Sequence, residues 1–401
     1  MANFLIRRIV QIIVVTFLVC LASYVLFYNA PGGPLQALQE INQTGKTRLD
    51  PQAIERVMKR FDLDLYHVPR FMRWLTGYPR NAIQIGGTEI NWQIGCAQEA
   101  APGTKVQLRY ADGTIVESDC VKPIYMSDLP DPIRRDTQGV LRGDFGLSQQ
   151  IARDRPVAGL IATRLGPTLL LMGLSNLFAL LIAVPIGVYS AVKQYSKFDY
   201  VVTTATFFFS AMPTLLLGIL GILLFAVTFQ SLGLPYLPAQ LATSNADKVV
   251  PIFGTIVSES LTDRVWHLVL PVSVLTLVSL TGWSRYIRSS MLEVLRQDYV
   301  RTARAKGLVE RMVILKHALR NSLIPFVTLV VGVIPSLFGG AIVTESIFSW
   351  PGLGRLFIDA LGRSDYPVSM AILLISTVLI LISFLVADVL YTVVDPRIRV
   401  S

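Results

Sequence analysis

The chain has 401 residues, of which 52% are hydrophobic and 16% are charged, and its formal net charge is +9. Soluble domains carry about 25% charged residues, so this composition argues against a soluble domain. The positive charge does not indicate nucleic-acid binding, because the sequence offers no basic face interleaved with aromatic residues.

Six apolar runs are long enough to cross a hydrocarbon core, which takes about 20 residues. We predict membrane spans at 9–28, 168–192, 201–232, 266–287, 322–344 and 368–394. Four of the runs are interrupted by proline, at Pro185, Pro213, Pro271 and Pro335. Neighbouring helices of a bundle can satisfy the carbonyls that a proline leaves free. The expected fold is therefore an all-α polytopic membrane protein with six transmembrane helices. We also expect a large extracytoplasmic α+β segment between the first and second transmembrane helices.

The distribution of Lys and Arg predicts that both termini are cytoplasmic. In that orientation the inner segments hold fifteen basic residues, nine of them within 285–320, and the two short outer loops hold four. Short basic loops stay in the cytoplasm, whereas long domains cross largely regardless of charge. We therefore expect an anchor helix at 1–29, an outer segment at 30–163 and a membrane core at 164–401. Arg7-Arg8 precedes a run of full span length, which indicates an uncleaved anchor.

The outer segment combines helical and strand-like patterns. Apolar residues at helical spacing predict a helix within 51–75. Alternating apolar residues at 106–110, the turn Asp112-Gly113 and a strand-like run at 114–118 predict a β-hairpin. This inserted β-rich part occupies roughly 78–138.

Two of the three cysteines fall in the outer segment, on either side of the predicted hairpin. Cys96 and Cys120 would pair in an oxidising compartment, and two free thiols are the alternative. Cys20 lies inside the first span and is expected to be a packing residue.

No motif in the chain indicates catalysis. Gly45-Lys46-Thr47 resembles the end of a phosphate-binding loop, but Glu40 occupies the position of the glycine that this loop requires. The three histidines, His67, His267 and His317, do not have the spacing of metal ligands. No GxSxG motif occurs. We predict that the chain does not itself hydrolyse ATP and has no cofactor or metal of its own.

The loop at 285–320 has the most informative pattern. Leucines at 292 and 295 fall on one helical face with Thr302 and Ala303, and Gly307 can end such a helix. The apolar residues between 309 and 319 suggest a second short helix. Small residues beside bases suit a compact knob that enters a groove on another protein. The alternative is a solvated, positive-inside loop.

This loop resembles that of the inner-membrane permeases of ABC importers for dipeptides, oligopeptides and nickel. The broad signature of importer permeases there is Glu-Ala-Ala, three residues, then Gly. This chain has Arg301-Thr302-Ala303, Arg304-Ala305-Lys306 and Gly307, followed by Leu308. The peptide branch resembles this chain in having Thr-Ala-Arg-Ala-Lys-Gly-Leu. The glutamate of the broad signature is absent, so its role is not carried over.

Other motifs extend the resemblance to most of the chain apart from about 78–138. They are Ala30-Pro-Gly-Gly-Pro34, Arg142-Gly-Asp-Phe-Gly-Leu-Ser148, Glu345 with Trp350-Pro-Gly-Leu-Gly-Arg355, Asp388-Val-Leu-Tyr and Asp395-Pro-Arg397. The stretch 78–138, which holds the hairpin and both outer cysteines, looks like an insertion.

The resemblance implies a heteromeric importer of di- or oligopeptides. Its parts would be a second homologous permease, two cytoplasmic ATPase subunits that bind ATP and Mg²⁺, an extracytoplasmic binding protein and membrane lipid. The coupling loop near 285–320 would seat its 301–310 region in an ATPase groove. The ATPase-coupling residues would be Arg301, Thr302, Ala303, Arg304, Lys306, Gly307 and Leu308.

The substrate path should run between two permeases and be lined by the second to fifth spans. Phe207, Phe208, Phe209 and Asp388 are candidates for a gate or for the pathway wall. The alternatives are ordinary packing for the aromatic run and an ion pair near the cytoplasmic end for Asp388.

Other functions are compatible with parts of the sequence. The same machinery can be imagined with nickel or oligosaccharides as cargo. A proton-coupled secondary transporter would show inverted repeats and ionisable sites near the midplane, and we find no convincing repeat between the halves. A membrane scaffold without transport is the remaining alternative.

Overall fold

The computed structural model describes residues 2–29, 51–101, 103–109, 115–252, 254–339 and 341–394. Several sequence motifs lie outside these ranges: Ala30-Pro-Gly-Gly-Pro34, Gly45-Lys46-Thr47, the Asp112-Gly113 turn and Asp395-Pro-Arg397. The chain divides into two compact units. The first unit comprises Met1–Thr16, Ile161–Asp359 and Leu374–Ser401, and the second comprises Phe17–Leu160 and Ala360–Leu373.

Helices make up most of the described chain. They are α1 (Ala2–Asn29), α2 (Pro51–Arg60), α3 (His67–Thr76), α4 (Val157–Val192), α5 (Lys197–Ala211), α6 (Thr214–Gly221), α7 (Leu261–Leu295), α8 (Asp298–Ala305), α9 (Arg320–Gly339), α10 (Ile342–Ile347), α11 (Leu353–Gly362) and α12 (Tyr366–Val394). The strands are β1 (Ile83–Ile85), β2 (Thr88–Ile90), β3 (Gln93–Glu99), β4 (Val106–Arg109), β5 (Ile115–Ser118), β6 (Cys120–Tyr125), β7 (Lys248–Val250) and β8 (Gly254–Ile256).

Five helices in the described ranges are long and apolar enough to cross a membrane. A sixth joins them if the bent pair Glu310–Leu323 and Pro325–Gly339 counts as one span. The two halves of this pair meet at 45°. A proline cannot donate the backbone hydrogen bond that keeps a helix straight, so Pro325 accounts for the bend.

The third predicted span, 201–232, is not one continuous helix. Helix α5 ends at Ala211, and α6 begins at Thr214 after Pro213. A π-helical segment, Ile222–Thr228, follows α6. Met212 has an extended backbone (φ −84°, ψ 129°), as the residue before a proline often does. The apolar periodicity continues across this break and therefore could not reveal it.

The first unit is held together by close contacts between helices α4, α7 and α9. A Cβ atom on Gly187 of α4 would lie 2.8 Å from the carbonyl oxygen of Ser284 on α7, so the glycine allows the two helices to approach. The adjoining core contains Ala183, Ala191, Ile287, Met291, Ala318 and Phe326. An antiparallel pair, β7–β8, precedes α7 and was not predicted from the sequence.

The second unit contains the predicted hairpin and a small core. Strands β4 and β5 pair antiparallel from Val106 opposite Ser118 to Arg109 opposite Ile115, which confirms the hairpin. The single helix expected within 51–75 is instead α2 and α3, because the chain turns at Asp62 (φ 53°). The core contains Leu65, Ile94, Ile124, Met126 and Leu129.

Strands β3 and β6 pair antiparallel in the second unit, and a disulfide joins Cys96 on β3 to Cys120 on β6. The second unit also contains a buried ion pair. The Arg134 guanidinium donates two hydrogen bonds to the Asp64 carboxylate, at 2.9 and 2.6 Å. Both side chains are almost fully shielded from solvent. Bidentate pairs of this kind fix geometry as well as charge, so the small unit does not depend on its apolar core alone.

Candidate functional site

The knob predicted in the 285–320 loop is a short helix packed onto the end of a long one. Helix α7 ends at Leu295, and after a two-residue interruption α8 begins at Asp298. The sequence pattern had suggested one helix across this break. Val300 and Ala303 on α8 are buried against Val313, which fixes the orientation of α8. The knob is defined here as residues 298–310.

Gly307 ends α8 with a Schellman motif. Its φ is +76°, its N–H donates to the carbonyl of Arg304 at 2.9 Å, and the N–H of Leu308 donates to the carbonyl of Ala303 at 3.4 Å. Leu308 also packs near Ala303, the apolar contact that commonly accompanies this motif. Gly307 is required for its backbone conformation, since a Cβ atom there would meet nothing within 4 Å.

The outward side of the knob is basic. Arg301, Thr302, Arg304 and Lys306 are all exposed. The Arg304 guanidinium is paired with the Glu310 carboxylate at 2.7 Å across the Gly307 turn. This hydrogen bond raises the pKa of the Arg304 guanidinium. The pair ties the two arms of the knob together. Arg301 forms a longer, exposed ion pair with Asp298 at 3.6 Å, and its charge and that of Lys306 lie at the surface.

The second short helix predicted after Gly307 is the start of a longer one. A single turn at Glu310–Met312 continues through a π-helical segment, Val313–Leu319, directly into α9. Val309, Met312 and Leu315 are about half exposed or more. The knob is therefore continuous with an apolar helix on each side, apart from the interruption before Asp298.

A buried ion pair braces the turn between α4 and α5. The Asp199 carboxylate is 2% exposed and receives two hydrogen bonds from Arg288 on α7, at 2.6 and 2.8 Å. The hydroxyl of Ser190 and the backbone N–H of Tyr195 also donate to Asp199. Every oxygen of this buried carboxylate is thus satisfied, and the turn is fixed to α7.

The motif Glu345 to Arg355 folds around a buried carboxylate, and we call residues 345–355 the clamp. Glu345 is fully buried, and its Oε1 accepts a hydrogen bond from the Thr168 hydroxyl of α4 at 2.9 Å. Its Oε2 accepts from the backbone N–H of Arg355 at 3.0 Å. The Thr168 hydroxyl in turn accepts from the N–H of Leu353 at 2.8 Å.

The tryptophan and the glycines of the clamp also contribute to the packing around Glu345. The indole N–H of Trp350 donates to the carbonyl of Pro167 at 3.0 Å. A Cβ atom on Gly352 would lie 2.3 Å from the Glu345 carboxyl carbon, and one on Gly354 would lie 2.7 Å from the Cα of Ile342. These glycines allow the chain to wrap closely around the carboxylate, so the clamp is a structural anchor.

The Arg142–Ser148 motif has a comparable anchor in the second unit. The buried Asp365 carboxylate accepts a hydrogen bond from the Ser148 hydroxyl at 2.6 Å. It also accepts from three successive backbone N–H groups, those of Gln149, Gln150 and Ile151. Such a backbone nest is well suited to hold an anion. The motif therefore ends in a carboxylate-binding turn that the chain fills itself.

Asp144 is the acidic residue within that motif. Burial opposes its ionisation. The backbone N–H groups of Gln138 and Gly146 and the guanidinium of Arg135 more than offset this effect, so the pKa of the Asp144 carboxyl lies below its usual value. Asp144 therefore shapes the loop as a charged hydrogen-bond acceptor.

The aromatic candidates for the pathway have different surroundings. Phe207 and Phe208 are 58% and 57% exposed, whereas Phe209 packs against the core that contains Leu217, Leu270, Val274 and Phe348. The guanidinium of Arg285 lies 5.0 Å from the centre of the Phe207 ring. The aromatic run is thus split between packing and an open surface.

Asp388 lies on α12 and pairs with Arg8 of α1 at 2.5 Å. The two side chains belong to the same unit, and the Asp388 side chain is 23% exposed. An ion pair between the first and last helices gives this carboxylate a structural partner. The coupling residues, the aromatic run and Asp388 occupy separate places in the chain.

Comparison with known proteins identifies the family. Residues 183–400 match the binding-protein-dependent transport system inner membrane component. Residues 1–90 match the N-terminal part of such membrane components. The chain belongs to this family. It is therefore a multi-pass inner-membrane component of a transport complex and not itself an enzyme. Residues 91–182 lie between the two matches and include most of the 78–138 stretch.

Relatives with assigned transport roles cover most of the chain. The oligopeptide transport system permease protein AppB of Bacillus subtilis is 42% identical over 321 residues, which are 79% of this chain and 95% of that protein. The dipeptide transport system permease protein DppB of Escherichia coli is 41% identical over 273 residues, 65% of this chain and 78% of that protein. The di/tripeptide transport system permease protein DppB of Pseudomonas aeruginosa is 33% identical over 408 residues, which span 100% of this chain and 99% of that protein. That last match includes residues 78–138.

Sequence reasoning missed three anchoring carboxylates or their partners. Each of the three contacts joins residues that are far apart in the chain. They are Asp199 with Arg288, Thr168 with Glu345, and Ser148 with Asp365. The signal that was available was an acid inside or beside an apolar run, because such an acid needs a partner.

Proposed function

We propose that this chain is one of two membrane subunits of an ATP-driven importer that carries di- or oligopeptides from a binding protein across the cytoplasmic membrane. The named relatives above support the cargo class, since they are permeases of dipeptide, di/tripeptide and oligopeptide transport systems. The observation that carries the mechanism is the knob, a short helix with a buried apolar side, an exposed basic side and a glycine-built end.

The proposed topology has six spans and two cytoplasmic termini. Helices α5 and α6 together form the third span, and the bent helix that contains α9 forms the fifth. The excess of Lys and Arg in the inner segments supports this orientation. It places the knob in the cytoplasm and the segment 30–163 outside. The permease core then corresponds to 164–401 and the anchor to 1–29.

The proposed partners are a second homologous permease, two cytoplasmic ATPases that bind ATP and Mg²⁺, and an extracytoplasmic binding protein. The exposed Arg301, Thr302, Arg304 and Lys306 would contact the ATPase groove, while Ala303 and Leu308 hold the knob in shape. ATP-driven closure would then draw the two knobs together and open the pore outward. Such coupling requires that the contacts differ between the two states.

The outer insertion near 78–138 would touch the binding protein or cap the mouth of the pore. The disulfide Cys96–Cys120 would stabilise it in an oxidising compartment. Deleting residues 86–120 and measuring the affinity for the binding protein separates these two roles. The exposed Phe207 and Phe208 would line the pathway, and Asp388 would tie the outermost helices together or act as a gate.

Substitution at Gly307 tests the coupling role. A Gly307→Val variant cannot adopt the positive φ of the Schellman motif without strain, whereas Gly307→Asn can. We expect Gly307→Val to abolish peptide uptake and transport-coupled ATP hydrolysis while the protein still inserts into the membrane, and Gly307→Asn to retain both. If Gly307→Val supports full uptake, the knob is not the coupling element.

A separate experiment tests the cargo. The ligand of the binding protein encoded with this permease can be extracted and identified by mass spectrometry. We expect short peptides. A nickel complex or an oligosaccharide in the site would overturn the peptide assignment without affecting the coupling role of the knob.

A further inference from the structure

Arg285 is a positive charge on the membrane helix α7. One turn further along α7, Arg288 forms two hydrogen bonds to the Asp199 carboxylate. The described residues offer Arg285 no such ion pair; its contacts are with neutral groups. Ionisable residues inside a membrane are costly, usually pair and commonly mark a substrate pathway. Arg285 therefore requires a separate explanation.

The Arg285 side chain points toward the membrane interior. Its Nε donates at 3.0 Å to the carbonyl of Thr281, which lies one helical turn before Arg285 and farther from the knob end of α7. One terminal nitrogen donates to the hydroxyl of Ser210 on α5 at 3.1 Å. Ser210 is thirteen residues after Lys197 at the start of α5, so it lies about 20 Å along that helix. An arginine that served lipid phosphates would extend toward the helix end instead.

The free part of the guanidinium is suited to a planar anion. An arginine carries five N–H donors, and the two hydrogen bonds described above use two of them. The central carbon of the guanidinium lies over the Phe207 ring, 5.0 Å from its centre, and this contact leaves the remaining N–H donors unused. A carboxylate is the group that such a fork binds in a bidentate manner.

The surface beside Arg285 contains small polar residues as well as exposed aromatic rings. Ser210, Gly282 and Ser289 are exposed there, together with the aromatic face of Phe207. Hydroxyls and an exposed glycine gain nothing from contact with acyl chains, but they fit a wall that meets water or a polar solute. All of these residues belong to the first unit.

We propose that Arg285 binds the carboxylate of the cargo as it passes through the cytoplasmic half of the membrane, with Phe207 and Ser210 as positioning residues. This inference rests on the proposed peptide function and adds a recognition residue to it. A peptide with a free terminal carboxylate supplies the missing counter-charge on arrival and removes it on release. Arg285 can then remain unpaired between transport cycles without blocking the path.

The test uses the complete transporter, with its partner permease, ATPases and binding protein, in lipid vesicles. The cargo is one short peptide whose only carboxylate is its C-terminus, compared with its C-terminal amide, each loaded on the binding protein beforehand. Arg285→Gln should lower uptake of the acid form about tenfold or more, the size expected for one charge-assisted hydrogen bond. Arg285→Lys should lose less. Uptake of the amide should change by less than about twofold.

The matched control is Arg264→Gln, which replaces an exposed arginine at the other end of α7. This variant should change the uptake rate of neither the acid nor the amide. The wild-type complex could transport only the acid form. In that case, lower uptake of the acid by Arg285→Gln, with partial recovery of uptake in Arg285→Lys, supports the proposal equally. Equal losses for both cargo forms, or losses that follow the anionic lipid content, would overturn the proposal in favour of a structural or lipid role. A wild-type complex that hydrolyses ATP but moves neither peptide would instead refute the peptide cargo itself.

Discussion

The clamp and the knob both depend on glycine, for opposite physical reasons. In the clamp, Gly352 is needed because the chain passes so close to the Glu345 carboxylate that a Cβ atom would lie 2.3 Å from its carboxyl carbon. In the knob, Gly307 has open space around it and is needed for its positive φ of 76°. One glycine makes room for packing, and the other makes a turn possible.

The difference separates residues that hold the fold from residues that are available to a partner. The clamp is buried, and its hydrogen bonds are satisfied within the chain. The knob is anchored by Val300 and Ala303 and leaves its basic side exposed. Damage to the clamp should therefore reduce the amount of folded protein, whereas damage to the exposed knob should reduce function in folded protein.

The largest effect is expected from Gly352→Ala. The new methyl group would displace a fully buried carboxylate, and overpacking of this kind costs about 1–3 kcal/mol. We expect a lower level of protein in the membrane and a lower Tm in detergent. Gly362→Ala, where a Cβ atom meets nothing within 4 Å, is the control. Equal melting of the two variants would contradict the account of the clamp.

A smaller loss should follow from Thr168→Val. Valine keeps the shape of threonine but leaves the N–H of Leu353 and one oxygen of Glu345 without a buried partner. An unsatisfied buried group costs about 2 kcal/mol, which a thermal unfolding curve should show. Thr302→Val on the exposed side of the knob should leave the Tm within the range of ordinary surface changes, about 0.5 kcal/mol. A Tm for Thr168→Val as high as that of Thr302→Val would show that the hydroxyl does not bridge the clamp.

Gly307→Val should act locally and cost about 1–2 kcal/mol, the penalty for left-handed backbone in an ordinary residue. Because the knob is an exposed end, the loss should appear as faster hydrogen exchange in residues 300–310 rather than as general unfolding. Gly307→Asn should preserve the exchange rates. Unchanged exchange in the valine variant would mean that the Schellman end is not maintained by the glycine.

The smallest stability effect is expected from Glu310→Gln. Its partner Arg304 and Glu310 itself are both largely exposed, and solvent screens pairs of this kind, which contribute about 0.5 kcal/mol or less. The Tm should barely move, while uptake should fall if the pair orients the knob. Asp199→Asn, which leaves Arg288 without its buried carboxylate partner, should by contrast lower the Tm clearly. Comparable Tm losses in the two variants would erase the distinction between buried and exposed pairs.

Much of the architecture could be predicted from local patterns. Apolar length located the long helices, alternation located the β4–β5 hairpin, and small residues with Gly307 located the end of α8. These features depend on neighbours in the sequence. Hydrophobicity could not reveal the break at Pro213 within the third span, because the residues on both sides are equally apolar.

The contacts that anchor the motifs could not be predicted in the same way. Thr168 and Glu345 are 177 residues apart, and neither residue indicates its partner by pattern alone. The lone charge of Arg285 became apparent only when the neighbouring Arg288 proved to be paired with Asp199. Motif resemblance identified which segments matter, and the physical reason for each became clear from distances.

The most direct test of the central claim is site-specific cross-linking of the knob to the ATPase in the assembled complex. A Lys306→Cys variant, made without the native cysteines, should cross-link to the ATPase and be protected from maleimide while the ATPase is bound. A Ser258→Cys variant at the opposite end of α7 should do neither. If Lys306→Cys remains fully accessible in the active complex, or is reached only by reagent added outside the cell, the knob is not the coupling element.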